Sequence, residues 1–105
     1  MSQQQLLIQD LTVSQILRTY GKQFRQITER YSDGRNGRCA MGVILYYFGW
    51  DGELDSDITT SLQAALPILS SAGLRDDSFI IKLNDSGMTF DEIADYLDKI
   101  DNSIV

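Results

Sequence analysis

Histidine is absent from this 105-residue chain, and cysteine, proline and tryptophan occur once each. Without imidazole there is no Cys-His or Ser-His catalysis, and the commonest metal ligand is missing. The single cysteine, Cys39, cannot close an intramolecular disulfide, and Met1 to Asp10 carry no basic region followed by a long apolar run. Both features lead to the expectation of a cytoplasmic protein. Cations are scarce, with nine Lys and Arg against fifteen Asp and Glu and a net charge of -6. Nucleic acids and anionic membranes draw most of their protein affinity from Lys and Arg, so neither is expected as a partner. No apolar run approaches the roughly 20 residues needed to cross a bilayer as a helix.

What the chain does have is a twelve-residue stretch without charge, Cys39 to Trp50, bracketed by Gly34 and Gly37 before it and Gly49 and Gly52 after it. It is long for a strand, contains Ala and Met, and has no alternating run elsewhere to act as a ladder partner, so it reads as a helix. A helix apolar on all sides is a buried one, with other helices against both faces. Cys39, Gly42 and Val43 form a small-residue face suited to close approach. The fold class that follows is all-α, one domain of about five helices around this central one, because a chain of this length supports a single core.

The remaining elements follow from periodicity and caps. Thr12 with Gln15 is a capping-box pattern, and Val13, Ile16, Leu17, Tyr20, Phe24, Ile27 and Tyr31 recur in steps of three and four, which predicts one long helix. Gly21 within it suggests a close crossing. Asp57, or Thr60 with Gln63, starts the next helix, and Pro67 either kinks it or begins a short one ending at Gly73. Arg75 to Asp85 is assigned a short helix. Thr89 with Glu92 caps the last, whose apolar positions are Phe90, Ile93, Ala94, Leu97 and Ile100.

Charge is unevenly placed. Residues 1–50 hold six cations and three acids, net +3, whereas residues 51–105 hold three cations and twelve acids, net -9. Such halves attract each other within a monomer or across a symmetric dimer. Leu6, Leu7, Ile8 and Leu11 form an apolar arm ahead of the first cap, and Arg18, Lys22 and Arg25 form a basic stripe on the helix behind it. Together they make the expected interface of a homo-oligomer, the stripe facing Asp91, Asp95 or Asp98 of the other subunit and the arm supplying most of the affinity. The stripe would also suit an acidic protein partner.

Chemistry-bearing residues are few. Arg35 and Arg38 flank the start of the central helix, where free N–H groups favour an anion; the same pair would equally meet an acid of the chain. Cys39 at that helix start, beside two arginines, is the one thiol candidate, set against its reading as a small packing residue. Asp51, Glu53, Asp55 and Asp57 alternate as in a calcium loop, but the required Gly and Glu positions are held by Ser56 and Leu62. No metal site and no cofactor are expected. A non-catalytic interaction or assembly module is the functional expectation, with a thiol-dependent enzyme or redox sensor using Cys39 as the alternative.

Two local resemblances accompany this reading. Leu83-Asn-Asp-Ser-Gly-Met-Thr-Phe-Asp-Glu-Ile-Ala-Asp-Tyr-Leu97 resembles the first half of a bacterial helix-turn-helix, but the acidic stretch Asp98 to Val105 stands where a recognition helix would follow. Gly37-Arg-Cys-Ala-Met-Gly-Val43, with Asn84-Asp85 and Glu-Ile-Ala downstream, resembles small uncharacterised microbial and phage proteins that share a Cys-Ala-x-Gly helix. That second resemblance implies an all-helical domain and no particular activity. It also suggests that Asn84 or Asp85 satisfies backbone N–H groups, or an arginine, near residues 37–39.

Overall fold

The computed structural model describes residues 11–104, with side chains to residue 100. Leu6, Leu7 and Ile8 of the expected arm lie outside the described residues. Five α-helices and one two-stranded pairing follow in order: α1 (Val13–Tyr20), β1 (Arg25–Gln26), β2 (Gly37–Arg38), α2 (Ala40–Tyr47), α3 (Thr59–Ser71), α4 (Ser78–Asp85) and α5 (Phe90–Ile104). The molecule is mostly all-α.

The uncharged stretch forms α2. Its N-cap is Cys39, and Ala40 through Leu45 are all buried. Helices α1, α3 and α4 all contact it. Gly42 explains the closeness on one side: a Cβ there would fall on the Tyr31 carbonyl oxygen. At its end Gly49, with φ +103°, lets the Trp50 N–H return to the Leu45 carbonyl at 3.0 Å and carries the Trp50 ring into the core. The same reversal closes α3 and α4, through Leu74 to Leu69 at 2.9 Å and Met88 to Leu83 at 3.4 Å.

The first helix departs from expectation. The Thr12–Gln15 capping box forms, but α1 stops at Tyr20, a 3-10 turn covers Gly21–Gln23, and Phe24 is extended. Helical periodicity through Ile27 and Tyr31 is therefore coincidental. Two tertiary contacts override it. At Gly21 a Cβ would lie 2.8 Å from the Phe90 ring, so α5 starts against this point. Beyond it the chain runs parallel to β2, Arg25 opposite Gly37 and Gln26 opposite Arg38. Backbone hydrogen bonds that a helix would have made internally are made across this short ladder instead.

Pro67 lies inside a continuous α3, where proline removes the bond to the carbonyl four residues earlier. Both Pro67 and Gln63 are exposed, so the missing bond falls on the solvent side. Asp57 accepts the Thr59 N–H at 2.9 Å just before this helix. Residues Ser78–Asp85 are helical as assigned, and the Thr89–Glu92 box caps α5 through reciprocal bonds of 3.1 and 2.9 Å.

Candidate functional site

Side chains at the start of α2 come from four segments, and Asn84 on α4 ties them together. Its Oδ1 accepts from the Ala40 N–H at 2.9 Å and from Gln26 Nε2 at 2.7 Å, while its Nδ2 donates to the Ile27 carbonyl at 2.8 Å. Gln26 also donates to the Met88 carbonyl and accepts the Phe90 N–H. Asn84 is fully buried, so each of these bonds replaces a desolvated, unpaired group. The expected link between Asn84-Asp85 and the start of the central helix is thus made by Asn84. Asp85 serves the next residues, accepting the Glu29 N–H at 3.0 Å where Glu29 adopts φ +71°.

Cys39 lies at the floor of a shallow cleft of about 180 Å³ formed with Glu29, Arg30, Tyr31, Ile81 and Asp85. The residue is buried, and its Sγ accepts the Gly42 N–H at 3.4 Å. Contrary to the expectation for a helix start between arginines, burial pushes the thiol above its ordinary pKa, outweighing the lowering by the Gly42 and Met41 amides. Tyr31 beside it donates to Asp77 at 2.7 Å, and burial followed by that bond holds its phenol well above the usual value.

The anion site expected at Arg35 and Arg38 does not form. Arg38 is buried, with its guanidinium carbon 4.7 Å from the Phe24 ring centre, 5.2 Å from Trp50 and 5.7 Å from Tyr46. Its Nη1 donates to the Gly42 carbonyl at 3.0 Å, while its Nε and the Trp50 indole N–H have no hydrogen-bond partner among the described residues. Desolvation lowers its pKa, and three aromatic faces stand where a carboxylate would be expected. Arg35 is exposed, and its backbone N–H donates to Asp33 at 2.8 Å. The first amides of α2 are already taken by Asn84 and Cys39.

The basic stripe also separates. Arg18 binds Asp98 at 2.7 Å and Asp95 at 2.5 Å within the same chain, with Ser14 adding a 2.7 Å bond to Asp98. The pairing expected across a dimer axis is therefore intramolecular for Arg18, and it fastens α1 to α5. Arg25 pairs with Asp33 at 2.6 Å, and Lys22 is exposed. Leu11 is partly buried, with its N–H 3.3 Å from the Tyr47 hydroxyl, beside a groove of about 180 Å³ that Val13, Ile68 and Leu97 also line.

Two surface features escaped the sequence reading. Between the end of α3, the start of α4 and α5 runs a groove of about 500 Å³, lined by Ala72, Leu74, Phe79 and Ile100 and by two cations, Arg75 and Lys82, and one acid, Asp76. Both cations are exposed, and neither is in an ion pair among the described residues. The second feature is the turn Glu53-Leu54-Asp55-Ser56, closed by the Ser56 N–H to the Glu53 carbonyl at 3.1 Å. Leu54 at its tip is 66% exposed, the most exposed large apolar side chain described. Asp51 braces the turn, accepting from the Glu53 N–H at 2.9 Å and the Ser56 hydroxyl at 3.2 Å. Asp51 serves the turn and Asp57 the start of α3, and among the described residues no three or more potential ligands converge on a metal position. The three cations of residues 51–105 were the available hint of the groove, but their clustering needs the helix packing.

Comparison with protein-family models, with curated proteins and with solved structures found no match for this chain. Among the described residues no helix is long and apolar enough to cross a membrane.

Proposed function

We propose that this chain is a non-catalytic, cytoplasmic interaction module that associates with itself. The observation that carries this reading is the apolar groove beside α4, lined by two exposed cations, Arg75 and Lys82, that form no close ion pair among the described residues. Arg18 and Arg25, by contrast, bind acids of their own chain. A groove of about 500 Å³ is within the roughly 300–1,000 Å³ typical of sites that enclose a bound group. The apolar arm Leu6, Leu7 and Ile8, leading into Leu11, adds a second surface for assembly. Sedimentation velocity of the intact chain tests the proposal: association that strengthens with concentration supports it, and a monomer through high micromolar concentration refutes it.

The thiol-dependent reading keeps one supporting observation, the cleft that Cys39 shares with Tyr31 and Asp85. A neutral, buried thiol is a weak nucleophile, so this reading ranks second. Labelling of folded protein with a thiol reagent separates the two: modification only on denaturation favours packing, and rapid modification below pH 7 favours thiol chemistry.

A further inference from the structure

The groove beside α4 and the acidic turn before α3 are complementary in shape class and in charge. The groove offers apolar side chains beside two exposed cations, Arg75 and Lys82, with one acid, Asp76, near Arg75. The turn offers one apolar side chain, Leu54, between two exposed carboxylates, Glu53 and Asp55. We propose that the groove receives the Glu53-Leu54-Asp55 turn of a second copy of this chain, Leu54 entering against Leu74 and Phe79 while Glu53 and Asp55 meet Arg75 and Lys82. This rests on the self-association proposed above and identifies where it occurs.

Three features favour this occupant over another. An exposed leucine at a turn tip gains by entering an apolar groove, and exposed apolar patches mark contact surfaces. Asp51 already holds the turn in shape, so little loop order has to be created on binding. The opposite charges fix the register, and the acidic outer face of α5 is a poorer match, since Lys99 lies among Glu92 and Asp95 there and its exposed apolar side chain, Tyr96, is less exposed than Leu54. Arg75 and Lys82 are also two of only three cations in a half that carries twelve acids. With Asp76 the groove lining carries two cations against one acid, on a chain of net charge -6. A two-fold arrangement would use both turns and both grooves.

The test uses the full chain with two charge-reversed variants. One carries Glu53→Lys with Asp55→Lys, and the other Arg75→Glu with Lys82→Glu; all four side chains are exposed, so the fold is preserved. Each variant alone should self-associate at least about tenfold more weakly than the parent in sedimentation velocity. An equimolar mixture should recover association near the parent level, because the lysine turn then meets the glutamate groove. Leu54→Ser should weaken association by a similar factor at high salt, where charge contributes least. Association unchanged in both variants but lost on deletion of residues 1–11 would overturn this contact and leave the apolar arm as the assembly surface. Loss in each variant without recovery on mixing would also overturn it. A parent that is monomeric throughout would overturn both this contact and the proposed function.

Discussion

Replacing Gly42 by alanine is the sharpest test of how α2 is held. The new Cβ would fall on the Tyr31 carbonyl oxygen and lie 3.3 Å from Arg38 Cδ. That carbonyl accepts the Cys39 N–H at 3.2 Å, the bond that brings the 31–39 segment onto the helix start. Backbone cannot rotate away as a side chain can, so α2 and Tyr31 must separate. Overpacking in a tight core costs about 1–3 kcal/mol. Weakening the Cys39–Tyr31 bond adds about 1–3 kcal/mol if both groups lose their partner in the interior. Alanine returns about 1 kcal/mol through its better helix propensity. The net expectation is a loss of about 1–5 kcal/mol, centred on about 3, a large share of the roughly 5–15 kcal/mol that holds a domain of this kind. Urea unfolding followed by the fluorescence of Trp50, the sole tryptophan, measures it. With a slope of about 1–3 kcal/mol per molar urea, the central value of about 3 kcal/mol lowers the midpoint by about 1–3 M. Gly21→Ala is the control, because its Cβ meets a Phe90 ring carbon that can shift. If Gly42→Ala unfolds at the same urea concentration as the parent, or later, the close contact between α2 and Tyr31 does not exist in solution.

Three further outcomes follow from the same contacts. Asn84→Ala should destabilise by about 2–4 kcal/mol, because it leaves the Ala40 N–H and the Ile27 carbonyl without partners in the interior; a urea midpoint within error of the parent would remove Asn84 from its central role. Arg38→Met should be more stable than Arg38→Lys, since methionine fills the space between Phe24 and Trp50 without a charge, whereas an ammonium is strongly hydrated and has no planar face to stack; the reverse order in thermal melts would show that the charge itself is needed. Asp33 accepts the Arg35 and Gly37 N–H groups and the Arg25 guanidinium, and its pKa is held below the ordinary value chiefly by the Arg35 amide. A depressed carboxylate stabilises the fold fully above its unfolded pKa of about 3.9 and loses that contribution as pH falls through the lower folded value. The stability gap between the parent and Asp33→Asn should therefore be present at pH 7 and shrink as pH is lowered below about 4, and a constant gap would contradict the hydrogen-bonded role.

How much of this was legible before folding depends on whether the signal was local. Thr12 with Gln15 and Thr89 with Glu92 could be recognised as caps because both partners of each bond lie within three residues. The burial of Ala40 to Leu45 was equally legible, since an uncharged run of that length has nowhere to go but the interior. Net charge and the absence of histidine constrained the chemistry without any geometry. Tertiary structure alone decided the rest. It ended α1 at Tyr20, where Phe90 packs on Gly21 and the parallel pairing with residues 37–38 offers backbone bonds that compete with the helix. It also turned Arg38 inward onto three aromatic rings, so that two arginines adjacent in a helix-start pattern do not converge. The thiol of Cys39 became a neutral, buried group because desolvation outweighed the amides of its own helix. Arg75, Lys82 and Phe79 came to share one groove only through the packing of α3, α4 and α5. Local sequence sets caps and burial because those depend on near neighbours, while the direction of a side chain and the company it keeps depend on segments up to some eighty residues away, as in the Arg18–Asp98 pair whose sequence separation is 80.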